Sequence, residues 1–162
     1  MKVLGLMSGT SMDGLDCCYA DITINNKMEL QYKILDFILF PFNSYIQNII
    51  INILGSSCSS RIKRAHDDIG LFFLDCSKKI INSRDIDIIA LHGQTISHID
   101  RKSTKQIGNP KYLAEYFKVP IIYDFRAKDI LLEGTGAPLM PFLDWLLYKN
   151  ININTITLNL GG

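Results

Sequence analysis

The sequence predicts a single α/β domain, in which a mixed β-sheet opens with an antiparallel meander and is flanked by helices. Apolar runs at residues 3–7, 15–24 and 30–39 are separated only by short turn sequences, which is typical of consecutive antiparallel strands. Residues 45–54 and 60–80 instead carry apolar side chains at helical spacing. The apolar runs at 86–91 and 119–123 each end in polar residues, as buried strands of an α/β sheet do.

The last third of the chain continues this alternation of strands and helices. Asn109 is predicted to cap a helix that begins at Pro110. A glycine turn at residues 134–136 precedes a further helix whose apolar residues lie at 142–147. Residues 155–160 alternate like a strand and lead into the glycine pair Gly161 and Gly162. We therefore expect the chain to be the front portion of a larger protein.

Composition limits the classes of partner. The 162 residues are 48% hydrophobic, which is enough apolar surface for a substantial core. Seventeen basic and 16 acidic residues, with no block of like charge, argue against a nucleic acid or an anionic membrane as partner. The apolar run after Lys2 is too short for a signal peptide, and no run approaches the ~20 residues of a membrane span. We expect a cytoplasmic protein that binds a small neutral or anionic ligand.

Cysteine usage predicts neither a zinc site nor a disulfide framework. Cys17, Cys18, Cys58 and Cys76 lack the paired spacing of zinc ligands and are too few to staple a fold of this length. We interpret all four as reduced core residues. Cys17 and Cys18 are adjacent on a predicted strand, so their side chains should face opposite sides of the sheet.

The turn between the first two predicted strands has the chemistry of a phosphate cradle. It combines two glycines, three hydroxyls and one carboxylate: Ser8, Gly9, Thr10, Ser11, Asp13 and Gly14. Glycines allow successive backbone N–H groups to face an anion, and hydroxyls add donors. Asp13 would hold Mg²⁺ through water. The lysine of a Walker loop and the GxGxxG of a Rossmann turn are both lacking, and an ordinary hairpin loop rich in turn formers remains an alternative.

Six motifs together resemble one family. Residues 6–16 (LMSGTSMDGLD), 92–98 (HGQTISH), 106–110 (QIGNP), 124–129 (DFRAKD), 134–141 (GTGAPLMP) and 158–162 (LNLGG) match in order and spacing the N-terminal portion of the anhydro-N-acetylmuramic acid kinases. That family belongs to the actin, hexokinase and Hsp70-like superfamily. The resemblance implies an actin-like ATPase (ribonuclease H-like) lobe at residues 1–150, the first strand of a truncated second lobe at 151–162, and a missing remainder of that second lobe.

The resemblance also implies an activity. Family members use ATP and Mg²⁺ to open 1,6-anhydro-N-acetylmuramic acid hydrolytically and phosphorylate it at the 6-position, in the recycling of peptidoglycan amino sugars. It implies a small sugar as substrate, and a homodimer or a missing C-terminal lobe as partner. The family's ATP-binding segment matches Gly9, Thr10, Ser11, Met12, Asp13, Gly14, Leu15 and Asp16. Substrate-binding candidates are His92, Gln94, Asp124, Arg126, Asp129 and Gly136. The family's general base lies in a motif downstream of Gly162, so no catalytic residue is assigned here.

Several alternatives stay open at the sequence level. Arg126 suits a carboxylate or phosphate, the muramic lactyl group for example, but an ion pair with Asp124 or Asp129 is an equal reading. His92 and Gln94 would bind the sugar or satisfy backbone groups at the end of a strand. An alternative to an active kinase is that the chain is an inactive fragment or one part of a split enzyme, acting as a binding lobe. A serine hydrolase using Ser8 or Ser11 with His92 is disfavoured because a GxSxG elbow is missing.

The motif at the glycine turn departs from the family's GGQGAPL pattern. Glu133 and Thr135 replace one glycine and the glutamine, so Glu133 puts a charge beside the turn. Asp144 stands where the family commonly has a histidine. We expect neither change to destroy the phosphate loop.

Overall fold

A six-stranded mixed sheet organises the chain, and the computed structural model describes residues 1–149 and 154–158. The strands are β1 (Lys2–Ser8), β2 (Gly14–Ile24), β3 (Leu30–Pro41), β4 (Ile88–Ile99), β5 (Ser103–Ile107) and β6 (Ile121–Tyr123). The helices are α1 (Ser44–Ile53), α2 (Ser59–Ile81), α3 (Pro110–Phe117), α4 (Ala127–Leu131) and α5 (Met140–Tyr148). The strand order is β3-β2-β1-β4-β5, and β6 also pairs with β4.

The topology confirms the predicted fold class. β1, β2 and β3 form the antiparallel meander. β4 then lies parallel to β1 after a crossover through α1 and α2, and β6 lies parallel to β4 after a crossover through α3. Parallel neighbours require such helical crossovers, whereas a meander needs only tight turns. This is the arrangement of a single ribonuclease H-like lobe.

The core lies between the sheet and helices α1 and α2. Leu4 of β1, Leu15 of β2 and Ile89 of β4 are fully buried on this face of the sheet. Ile69 and Phe73 of α2 pack against them and are equally buried, which confirms the apolar stripe predicted for that helix. The N-termini of α1 and α3 are capped by the side chains of Asn43 and Asn109.

The structure corrects the prediction that the strand beginning near residue 86 ends at His92. β4 continues to Ile99 and forms an antiparallel hairpin with β5, which the sequence did not predict. The polar residues in this stretch interrupt the apolar alternation that would indicate a strand, although Ile96 and Ile107 of the hairpin are buried in the core. His92 and Gln94 consequently lie inside a strand rather than in a loop. Helix α4, directly after Arg126, was also not predicted.

The C-terminal part of the chain differs from the prediction of a strand at 155–160. Residues 154–158 belong to no strand, and Ile156 is 92% exposed. A strand is stabilised by ladder bonds to a neighbour, and this segment pairs with none of the described strands. Gly161, Gly162 and most of the proposed start of a second lobe at 151–162 lie outside the described residues. Within the described ranges, no helix is both long and apolar enough to cross a bilayer.

All four cysteines are free thiols. Cys17 and Cys76 are core residues as predicted, and burial raises the pKa of the Cys76 thiol to about 12. Cys18 is half-buried on the opposite face of β2 from Cys17. The prediction is wrong for Cys58, which lies half-exposed at the N-terminus of α2 rather than in the core.

Candidate functional site

The loop between β1 and β2 turns through a methionine rather than through a glycine. Met12 has a φ of 56° and its N–H donates to the carbonyl oxygen of Gly9 at 3.3 Å. Gly14 serves a different purpose, because a Cβ there would collide with the carbonyl oxygen of Phe40 on β3. A Cβ on Gly9 would meet only the Ser11 hydroxyl, at 3.6 Å. The close approach of β2 to β3, not the turn itself, therefore requires the glycine at position 14.

Asp13 presents an exposed carboxylate at the tip of this loop. Its Oδ1 accepts from the Ser11 hydroxyl at 2.8 Å and from the Gly14 N–H at 3.1 Å. The bond from Ser11 is the main reason that the pKa of this carboxyl is lowered, so Asp13 is ionised at neutral pH. Its Oδ2 accepts from no described residue. No group of three His, Cys, Asp or Glu side chains in the described ranges forms a metal cage. A single carboxylate fits Mg²⁺ held through water, with phosphates supplying the other oxygens.

Hydrogen bonds to the Gln94 side chain hold the start of the loop against strand β4. This fully buried amide accepts a hydrogen bond from the Ser8 hydroxyl and donates to the carbonyl oxygens of Gly9 at 3.1 Å and Thr95 at 3.2 Å. The first residues of the loop are thus tied to a central strand of the sheet. The same bond argues against the hydrolase reading, because Ser8 donates to Gln94, and Ser11 donates to Asp13, rather than to His92.

His92 and Arg126 form a second cluster, beside Gln94 on the same sheet edge. The Nδ1 of His92 lies 2.8 Å from the carbonyl oxygen of Gly93. Its Nε2 accepts from Arg126 Nε at 3.1 Å and Nη2 at 2.9 Å, and Arg126 Nη1 donates to the carbonyl oxygen of Gly136 at 2.8 Å. Burial lowers the pKa of His92, the bond to Gly93 opposes that shift, and the charge of Arg126 adds to it. The imidazole is therefore neutral at pH 7.

Neither of the ion pairs considered for Arg126 forms. The Asp129 carboxylate instead accepts from the Gly136 N–H at 2.7 Å, while its carbonyl accepts from the Gly134 N–H at 2.8 Å. Asp129 thereby folds the glycine turn that supplies the Gly136 carbonyl to Arg126. Asp124 is exposed, with a φ of 59°, and makes no salt bridge with Arg126. No carboxylate of the described residues neutralises the half-buried guanidinium.

A cavity of about 200 Å³ adjoins this cluster, between the β4–β5 hairpin and the start of α3. Its polar lining comes from His66, His92, Thr104, Lys105, Gln106, Tyr123 and Asp124. His66 accepts from the Gly108 N–H at 3.1 Å. The sequence did not indicate Lys105 or Tyr123 as site residues. The unrecognised hairpin is the reason, since it is β5 that brings Lys105 to the cavity.

Comparison with known proteins decides the family. The model of the anhydro-N-acetylmuramic acid kinase (AnmK) family matches residues 1–162. The chain belongs to the AnmK family. It is 33% identical to an anhydro-N-acetylmuramic acid kinase of Caldanaerobacter subterraneus, over 99% of this chain and 44% of that protein. It is 36% identical to one from Clostridioides difficile, over 100% of this chain and 45% of that protein. The chain therefore spans less than half the length of these curated AnmK relatives.

A solved structure, of RuvC from Thermus thermophilus, aligns with 86% of this AnmK-family chain and 74% of its own, at 11% identity and a TM-score of 0.40. A similarity this low carries no argument about function. The fold assignment rests on the strand order and directions described above.

Proposed function

We propose that this chain supplies the phosphate-binding and sugar-binding lobe of an ATP-dependent kinase that opens 1,6-anhydro-N-acetylmuramic acid and phosphorylates it at the 6-position. The observation that carries the proposal is the bond from Gln94 to Gly9. It joins the anion-binding loop to the strand that also holds His92 and, through it, Arg126. A phosphate subsite and a carboxylate subsite on one edge of a sheet fit a phosphorylated nucleotide beside an acidic sugar.

The loop at residues 9–13 is the phosphate end of the site. Its backbone N–H groups at Thr10 and Ser11 donate to no other described residue, and both residues are exposed. Such free amides, together with the hydroxyls of Thr10 and Ser11, are suitable donors to phosphate oxygens. Bound Mg²⁺ would neutralise developing charge on the phosphates. The ionised Asp13 carboxylate would orient the waters around that ion.

Arg126 is the anion-binding group at the sugar end. Burying a guanidinium without a countercharge is unfavourable, and the neutral His92 and the Gly136 carbonyl satisfy hydrogen bonds without cancelling the charge. A ligand carboxylate would supply the missing charge through two charge-assisted bonds. The lactyl carboxylate of a muramic sugar has this chemistry. Gln94 has no free amide hydrogen for the sugar, since both bond to backbone carbonyls.

The remaining parts of the active site would come from a second lobe. The chain covers 44–45% of its relatives, and phosphoryl transfer needs groups on both sides of the transferred phosphate. We infer that residues 1–150 are one lobe, that 151–162 lead into the next, and that the other lobe supplies the general base and the adenosine pocket. Exposed Trp145 and Ile156 lie on segments suited to that contact. The balanced charge favours a small sugar over nucleic acid or membrane as the partner. The family membership is the basis for the proposed cytoplasmic location and for a homodimer of the complete enzyme.

Nucleotide binding tests the phosphate end directly. Isothermal titration of the chain with ADP, with and without Mg²⁺, should show tighter binding when the ion is present. Asp13→Asn should abolish that gain, about tenfold or more, because the neutral amide holds a hydrated cation poorly. Asp75→Asn, on the exposed face of α2, is the matched control. Mg²⁺-dependent binding that survives Asp13→Asn would contradict the assignment.

Turnover separates the kinase reading from the alternative of an inactive binding lobe. The chain should bind Mg·ADP alone, and should phosphorylate 1,6-anhydro-N-acetylmuramic acid only after addition of a polypeptide that covers the other half of a relative. Binding without turnover in the mixture would favour the inactive-fragment reading. Turnover by the chain alone would refute the need for a second lobe.

A further inference from the structure

We propose that His92 is a positioning residue: its imidazole holds the Arg126 guanidinium in place for an anion and does not itself touch the ligand. The inference rests on the proposed function only for the identity of that anion. The geometry of the pair stands independently of it.

The hydrogen bonds of His92 determine its tautomer. The Gly93 carbonyl oxygen, 2.8 Å from Nδ1, can only accept, so Nδ1 must carry the proton. Nε2 is then a bare acceptor in a neutral ring, which is what the two N–H groups of Arg126 require. In a doubly protonated ring, Nε2 would carry a hydrogen and could not accept from the guanidinium N–H groups. His92 is 7% exposed, so water cannot easily replace either bond.

The same bonds leave Arg126 with donors to spare. Three of its five N–H donors are used, one on each nitrogen, by His92 and the Gly136 carbonyl. The two unused N–H donors, one on each Nη, lie at the end of a guanidinium that His92 and the Gly136 carbonyl already hold in place. Such a group loses little freedom on binding a carboxylate or phosphate. An arginine without these partners would have to order its long side chain at the moment of binding.

This arrangement distinguishes positioning from direct contact with the sugar. Both ring nitrogens of His92 are engaged, one by backbone and one by Arg126, so neither is free for a sugar hydroxyl. Removing the imidazole should therefore weaken only the binding of the anionic group that Arg126 contacts. A residue that touched the sugar ring, or a purely structural one, would affect acidic and neutral sugars alike.

Two sugar probes expose the difference, N-acetylmuramic acid and N-acetylglucosamine, which lacks the lactyl carboxylate. The 162-residue chain should bind the acidic sugar about 10- to 100-fold more tightly, the value of charge-assisted bonds to one carboxylate. His92→Leu should remove most of that preference while binding of N-acetylglucosamine stays the same. His92→Gln, whose Oε1 can accept from Arg126, should restore it. Arg126→Met shows how the two sugars compare when the preference for the acidic sugar is lost completely.

Nuclear magnetic resonance tests the pair without any ligand. Long-range ¹H–¹⁵N correlation should show the proton of His92 on Nδ1. The Nε–H signal of Arg126 should exchange slowly with solvent in the wild type and in His92→Gln, and rapidly in His92→Leu. The proposal is overturned if that exchange is equally fast in the wild type and His92→Leu, or if His92→Leu keeps the wild-type preference for the acidic sugar. If the wild type shows no preference, the proposed ligand fails, and the exchange data alone decide the role of His92.

Discussion

Gln94→Leu should loosen the start of the phosphate loop, because this amide bonds to both Ser8 and Gly9 there. The substitution removes bonds to the Ser8 hydroxyl and to the Gly9 and Thr95 carbonyls. Ser8 is 1% exposed, so its hydroxyl would be left in the interior without a partner.

The structure allows a magnitude to be worked out. A buried polar group left unpaired costs about 1–3 kcal/mol, and Gln94→Leu leaves the Ser8 hydroxyl in that condition, whereas the Gly9 carbonyl keeps its bond from the Met12 N–H. Greater burial of apolar surface by leucine offsets part of this cost. We expect a loss of about 1–3 kcal/mol in the free energy of unfolding, which lowers the melting temperature by roughly 2–12 °C in a domain of this size.

A double-mutant cycle with Ser8→Ala isolates the bond between the two side chains. Ser8→Ala alone should cost about 1–2 kcal/mol, since it leaves the Gln94 carbonyl oxygen without its hydroxyl donor. In the Gln94→Leu background it should cost nearly nothing, so the coupling free energy should reach about 1–2 kcal/mol.

Urea unfolding of the four proteins, followed by circular dichroism, gives these free energies. Mg·ADP titration of the same proteins should show weaker binding in Gln94→Leu than in the wild type, by about tenfold, if loop anchoring supports phosphate binding. Additive effects of the two substitutions, within about 0.3 kcal/mol, would refute the argument that this bond anchors the loop.

Other expected outcomes follow from individual contacts. Gly14→Ala should lower stability by about 1–3 kcal/mol in urea unfolding because its Cβ meets a β3 carbonyl. Gly9→Ala places its Cβ in ordinary contact with the Ser11 hydroxyl, at 3.6 Å, and should change stability by less than about 0.5 kcal/mol. Burial lowers the pKa of His66 and His92, so the unfolded chain takes up protons first as pH falls below about 6.5. The free energy of unfolding should therefore decrease from that pH down to the lowered pKa values, and His92→Gln should flatten the decrease in pH-dependent melting curves. Cys58, half-exposed and with its pKa lowered chiefly by the bond with a serine hydroxyl, should react with a thiol reagent before the other cysteines, as peptide mass mapping would show; preferential labelling of a core cysteine would contradict the burial pattern.

Local patterns in the sequence were sufficient for most of the elements. The meander β1–β3, helices α1 and α2 and the Asn109 cap of α3 were predicted because each depends on periodicity or capping within a few residues. Strand β5 escaped because four of its five residues are polar, and α4 escaped because five residues are too few to show a helical period. Residues 154–158 show the opposite error, since alternation alone forms no strand without a neighbour.

The candidate site, like the fold, was predicted from the sequence only in part. The sequence by itself determined the residue types available for anion binding and their grouping into motifs, and with them the family. Only the tertiary structure decided that Gln94 anchors the loop through Ser8, 86 positions away, and that Arg126 is held by His92, 34 positions away, rather than paired with Asp124 or Asp129. The physical reason is that a hydrogen-bond partner is chosen by which groups the packed sheet brings within about 3 Å, and local sequence carries no record of that proximity.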